Sequence, residues 1–269
     1  MKNKNEIQQK ELSAYGAELY IVTLPNDILL KMVKVEPGRF RMGSKFGGSE
    51  EKTHKVSLTK LYYLGETEVT QAQWEAVMGY NPSCFNGMDR PVERVSWDEA
   101  MEFCRLLNES EISPESWMFT LPTEAQWEFA ARGGNKRKGR IYSGSDCIDN
   151  VGWFYENSGR KRLGEFTWSM DKLESNSCQT HIVKQKSANE LGLYDMSGNV
   201  WEWCLDWYGP CGSCTTADPT GPLSGSYRVL RGGSWRNNAN CCRVTSRNIR
   251  TPDIRNNDLG FRLALVPVQ

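Results

Sequence analysis

The chain has 269 residues, with 33 basic and 33 acidic side chains, a formal net charge of zero and a pI near 6.7. That balance gives no whole-chain reason to expect nucleic acid or an anionic membrane as partner; no run approaches the ~18 apolar residues of a membrane span, and residues 1–10 lack the apolar stretch of a secretory leader. Ten Trp, 24 Gly and nine Cys stand against only two histidines, His54 and His181, which argues against a His-rich metal site and leaves few imidazoles for general-base work.

Residues 1–25 are polar and read as a loose or partly helical lead-in to a single domain over 26–269. Lys31–Val35 and Arg39–Met42 alternate with period two on either side of Pro37-Gly38, the pattern of a hairpin. Residues 43–53 form a charged, turn-rich loop, followed by short strands at His54–Leu58 and Leu61–Leu64. Three helices follow, each opened by a capping box: Thr70 with Gln73, Ser96 with Glu99, and Thr123 with Gln126. In each, the cap oxygen accepts from the third helical amide while that residue's side chain reaches back. Beyond Gly134 the periodicity fades, and residues 135–190 carry Trp153, Phe154, Phe166 and Trp168 as isolated anchors. So long a loop in a compact domain is functional or pinned by ions and side-chain networks. Strand character returns at Tyr227–Arg231 and Gly260–Leu265. No repeat or linker divides the chain.

Several blocks are specific. They are Met42-Gly-Ser44, Glu68-Val-Thr-Gln71, the run from Phe119 to Gly134 containing Leu-Pro-Thr-Glu-Ala-Gln-Trp-Glu-Phe, and the run from Leu191 to Trp203 containing Asp-Met-Ser-Gly-Asn-Val-Trp-Glu. Arg231-Gly-Gly-Ser-Trp235, Pro252 and Leu259-Gly-Phe-Arg-Leu263 complete the set. In order and spacing they resemble the formylglycine-generating enzyme (sulfatase-modifying factor) family over about nine-tenths of the chain. The resemblance implies an α+β, C-type-lectin-like domain, low in regular secondary structure and held by buried aromatics and calcium. It is less specific for activity, because one fold hosts catalysts and non-catalysts.

By position in that family, Asp195 and the carbonyls of Gly198, Val200 and Glu202 would hold a structural calcium; hard cations take six to eight oxygens, and a tight Gly/Asn turn supplies several. A second family site would include Asn150 and Val151. Catalytic members hold Cu(I) between two thiols, as soft ligands suit it. The position of the first thiol is Asn237 here, and that of the second is Cys242; Cys241 is a poor substitute, since adjacent residues on an extended chain face opposite ways. No copper is therefore expected. Cys211-Gly-Ser-Cys214 lacks the second pair of a zinc site and the strand-to-helix setting of a redox motif, leaving a loop disulfide or two idle thiols. With nine cysteines, at least one stays outside intrachain pairing. His54 and His181 read as ordinary surface or hydrogen-bonded residues.

Residues 236–258 are rich in asparagine, which is costly to bury and uncommon in core strands. The amides either stitch loops together or face a ligand. The second alternative resembles retroelement-diversified variable proteins, which share the fold and place their changeable positions in this final segment. The expected contacts are Trp235, Arg236, Asn237, Asn238 and Asn240, then Asn248, Arg250, Asp253, Asn256 and Asn257, all exposed. Gly232, Gly233, Arg243, Arg247, Phe261 and Arg262 would be the framework beneath. This implies a non-enzymatic binder of a protein or other surface molecule on a bacterial cell surface; the rival is an oxidase or accessory enzyme of the family using Cys242.

Overall fold

The computed structural model describes residues 9–13, 15–44, 52–110, 112, 114–164, 167–209 and 216–268. Strand structure begins at Gln9–Leu12 (β1) and Glu18–Leu24 (β2), inside the stretch expected to be a lead-in. Leu19 and Ile21 point into one core cluster while Tyr20, Val22 and Leu24 point into another, so β2 is buried on both faces. The lead-in reading is corrected accordingly, and the domain starts before residue 26. A turn over Pro25–Asp27, with Asn26 and Asp27 at φ 61° and 59°, joins β2 to Ile28–Val35 (β3). Asn and Asp tolerate that left-handed conformation better than bulkier residues.

The hairpin expected over 31–42 does not form. Gly38–Met42 (β4) pairs instead with His54–Leu58 (β5) in a separate sheet, extended by Thr216–Ala217 (β9). The chain leaves the first sheet at Gly38, where any Cβ would collide with Asn135 and Phe129. The large sheet has six strands, all antiparallel, in the order β1-β2-β3-β6-β13-β7. Here β6 is Tyr62–Gly65, β7 is Trp117–Thr120 and β13 is Ala264–Pro267.

One face of this sheet carries Gln71–Met78 (α1) and Trp97–Glu109 (α2). Trp74 stacks on Phe103 at 5.5 Å, and both meet the edge of Phe261, at 5.9 and 5.6 Å. The other face packs on Glu124–Ala131 (α3) and the β4-β5 pair, with Phe40 5.2 Å from Phe129. All three helices start at the expected capping boxes, each with both reciprocal bonds present. A fourth, Met170–Ser175 (α4), lies in the long irregular segment.

A second sheet, in the order β11-β10-β8-β12, consists of Arg247–Arg250 (β11), Arg228–Arg231 (β10), Trp201–Trp207 (β8) and Leu259–Gly260 (β12), the last running parallel to β8. The single strand expected at 260–265 is therefore two, in two sheets. Between them Arg262, fully buried, donates to both oxygens of Glu202 at 2.6 and 2.7 Å and to the carbonyls of Gly65 and Tyr194. Among the described residues no helix is long and apolar enough to cross a membrane.

Candidate functional site

The C-terminal segment rests on a buried charged lattice that radiates from α3. Arg231, on β10, has no exposed surface; it pairs with Glu128 and lies 3.3 Å from Glu124. Glu124 also accepts two bonds from Arg247, at 2.6 and 2.8 Å, and Glu128 accepts from Arg132 at 2.8 Å. Trp127, one turn along the helix, donates its indole N–H to Glu202 at 2.6 Å. Breaking one partner of such a pair strands a buried charge at a cost of about 3–5 kcal/mol, so the lattice holds one arrangement. Gly232 and Gly233 follow at φ 98° and 78°; at Gly233 a Cβ would sit 2.6 Å from Cys242 Sγ.

The structure divides the expected contacts. Asn238, Asn240, Arg250, Asp253 and Asn256 are exposed, and Arg236, Asn237, Asn248 and Asn257 are half-buried. Trp235 is the correction: it is 4 % exposed, donates to the Asn257 carbonyl at 2.9 Å and meets the edge of Phe85 at 5.3 Å. An indole with its N–H satisfied belongs under the surface. Three of the amides are also tied; Asn248 accepts from the Ile249 amide at 2.8 Å and from Arg250 at 3.2 Å. Asn237 accepts from the Ser234 hydroxyl, and Asn238 caps the 3-10 turn Ala239–Cys242 through the Cys241 amide. In the framework set, Gly232, Gly233, Phe261 and Arg262 are buried and Arg247 nearly so, whereas Arg243 is half-buried and donates to the Asn240 carbonyl.

Sequence reasoning missed two neighbours of this surface. Trp168, 51 % exposed, donates to the Arg236 carbonyl at 2.8 Å, and Met170 lies 3.5 Å from the Arg236 guanidinium. Only the three-dimensional path brings them together, since 66 residues separate Met170 from Arg236. Phe166 and Cys211-Gly-Ser-Cys214 lie outside the described residues.

At the expected calcium turn, Asp195, Gly198 and Asn199 adopt φ of 56°, 90° and 62°. Asp195 is 2 % exposed; Oδ2 accepts from the Lys184 amide at 2.8 Å and Oδ1 has no partner. Burial pushes its carboxyl up to about 6, and burial with Asp195 and Glu202 raises Glu68 well above the usual range. Three buried carboxylates here share the guanidinium of Arg262. The orphaned oxygen, the tight turn and the excess negative charge fit a hard cation bound by Asp195 and backbone carbonyls. Of Glu202 the expected ligand is the carbonyl; its carboxylate is held by Arg262 and Trp127. Asn150 and Val151 fit less well: the Asn150 carbonyl accepts from the Ser187 amide, and the Lys186 ammonium lies on the adjacent Asp149 carbonyl. Among the described residues no three His, Cys, Asp or Glu side chains form a ready metal cage.

Cys242 is fully buried, with its thiol 3.7 Å from the Asn238 carbonyl and its pKa raised by burial. Cys241 is half-buried and also raised by burial. A thiol held in its neutral form is a poor nucleophile and a poor metal ligand. His181 stacks on Trp153 at 3.7 Å and bonds the Ser158 carbonyl, and His54 bonds the Lys52 carbonyl.

Residues 22–266 match the sulfatase-modifying factor enzyme 1-like domain family. The chain is 38% identical over 253 residues to the chaperone protein LppX of Paenibacillus barcinonensis, covering 83% of each. It is 36% identical over 201 residues to a formylglycine-generating enzyme of Streptomyces coelicolor, covering 73% of this chain but only 59% of that enzyme. Among solved structures, Treponema denticola variable protein 1 superposes with a TM-score of 0.78 at 32% identity, covering 98% of this chain and 100% of that one.

Proposed function

The chain belongs to the family of sulfatase-modifying factor enzyme 1-like domains, and from that premise we propose that it is a non-enzymatic ligand-binding protein whose final segment forms an adaptable surface on a rigid scaffold. The fold is the α+β, C-type-lectin-like fold of that family. One observation carries the reading: within residues 231–262 the charged and aromatic framework is buried and bonded, while Asn240, Arg250, Asp253 and Asn256 are exposed. Substitution on such a surface leaves the core untouched, which is the requirement for a variable binding site. The likeness to a variable protein supports this reading. On it, the protein is diversified by a retroelement and displayed on a bacterial cell, where its ligand is a protein or other surface molecule. Calcium at Asp195 would serve as a structural cation, neutralising the buried carboxylates beneath β8.

Asn237 stands where the first copper thiol would be, and Cys242 is sealed beneath Gly233. Without two accessible thiolates, Cu(I) lacks its preferred clamp. Purified protein supplied with copper and a sulfatase-type cysteine peptide is expected to leave that cysteine unchanged by mass spectrometry. An aldehyde product, lost in Cys242→Ser, overturns the reading in favour of a family oxidase. Genomic DNA supplies a second check: the reading expects a reverse transcriptase gene and a near-copy of the 3′ coding segment beside this gene.

A further inference from the structure

Trp235, Arg236 and Asn237 follow the Gly232-Gly233 turn, and the carbonyl of each is held by a group from residues 155–168. The Ser158 hydroxyl donates to the Trp235 carbonyl at 2.7 Å, the Trp168 indole to that of Arg236 at 2.8 Å and the Tyr155 amide to that of Asn237 at 2.9 Å. All three bonds end on main-chain oxygens, so the side chains at 236 and 237 can change without breaking them.

Two side chains from this bracing region, Trp168 and Met170, are exposed beside Arg236. With its N–H spent on the Arg236 carbonyl, the Trp168 indole is held in one orientation and offers a partner only its apolar ring. The Arg236 guanidinium donates to Met170 Sδ at 3.5 Å, and a thioether is a weak acceptor. It stands 3.9 Å from the Asp258 carboxylate, beyond hydrogen-bond reach, and its side chain is 27 % exposed. Among the described residues no oxygen accepts from this guanidinium at hydrogen-bond distance. Its open donors match the geometry of a carboxylate. Trp, Met and Arg are also the residue types enriched where protein partners dock.

We propose that Trp168, Met170 and Arg236 form a docking point for a protein segment that presents an acidic side chain next to an apolar one. The carboxylate takes the open donors of Arg236, and its apolar neighbour covers the Trp168 ring and Met170. Residues 168 and 170 lie outside the final segment, so they supply a constant anchor beside positions that change. The inference rests on the ligand-binding reading and names the class of partner that this surface takes.

The test selects a phage library of random linear peptides on the full chain, then measures the affinity of the enriched peptides, made synthetically, for variants. Enriched peptides are expected to carry Asp or Glu beside an aromatic or aliphatic residue. Trp168→Ala and Arg236→Ala should each weaken them about tenfold or more, the effect of truncating a central contact. Met170→Ala, whose side chain bonds no main chain, should weaken them too and covers a Trp168 variant that does not fold. Selection repeated on Arg236→Glu should exchange the acidic residue for Lys or Arg. Enriched peptides without an acidic residue overturn the proposal. Peptides that lose affinity in Asn240→Ala or Arg250→Ala but bind Trp168→Ala and Met170→Ala like the parent overturn it too, while leaving the ligand-binding reading intact. Peptides indifferent to all these changes, or no enrichment over an uncoated surface, overturn both. Self-association of the parent in sedimentation, abolished by Trp168→Ala, would make the patch a contact between copies and overturn the proposal.

Discussion

Asn238 accepts from the Cys241 amide at 3.3 Å, and Asn237 accepts from the Ser234 hydroxyl, whereas the amides of Asn240 and Asn256 reach into solvent. Asparagine has a cheap local use as a cap and little cost when exposed, so one residue type serves both purposes within twenty positions. Asn237→Ala and Asn238→Ala are expected to lose about 1–2 kcal/mol, the cost of a lost buried bond or cap. Asn240→Ala and Asn256→Ala should stay within about 0.5 kcal/mol; their carbonyls, which do serve neighbours, survive the change. Phe261→Ala, deep among Trp74 and Phe103, should cost about 3–5 kcal/mol. Thermal melts of the five variants check the ranking, and four equal asparagine costs would remove the distinction between surface and scaffold. Composition revealed the cluster but could not tell an amide that caps from one that faces solvent. Trp235 reads as a surface residue in sequence for the same reason, since only its neighbours Phe85 and Asn257 account for its burial.

The helices were legible because their signals are local. Each capping box lies within four residues, and α2 follows Ser96 with Ala100, Phe103, Cys104 and Leu107 on its buried face. Ser96→Ala is expected to lower stability by about 1 kcal/mol; a melt indistinguishable from the parent would mean that tertiary packing, not the cap, sets the start of α2. Strands were less legible. His54–Leu58 was readable from its alternation, but β2 was hidden in a polar N-terminal average, and β7, β8 and β11 gave no separate signal. The expected hairpin at 31–42 failed because alternation reports that a segment is extended and not which segment it pairs with. Close contact at Gly38 with Asn135 and Phe129, nearly a hundred residues away, sends β4 into another sheet.

Across the whole molecule, the buried acids make stability depend on pH. Burial pushes Asp195 up to about 6, and Glu93 and Asp206 to about 7, all above the range of about 4 expected in the unfolded chain. Their contribution is fully present below about pH 4 and is lost as pH rises through 6 to 7, because the native state there holds protons the unfolded chain has released. Acids held low by arginines, such as Asp146 beside Arg140, act only below that window. Melting temperature in chelator should therefore fall from pH 5 to pH 8. Calcium should stabilise more at pH 8, where a hundredfold excess over its dissociation constant adds about 2.7 kcal/mol. Asp195→Ala should remove the part due to the β8 turn. A chelator melt that is flat over this range, or a calcium effect equal at both ends, would count against these acids as the source. The sequence by itself determined the family, the fold class, the three capped helices and the absence of a thiol at residue 237. Each of these is a matter of residue identity and short spacing. The tertiary structure decided strand partners, the burial of Trp235, the place of Trp168 and Met170 beside Arg236, and the sharing of Glu124 by Arg231 and Arg247. Those depend on burial and charge shared between segments far apart in the chain, and a linear pattern does not carry that information.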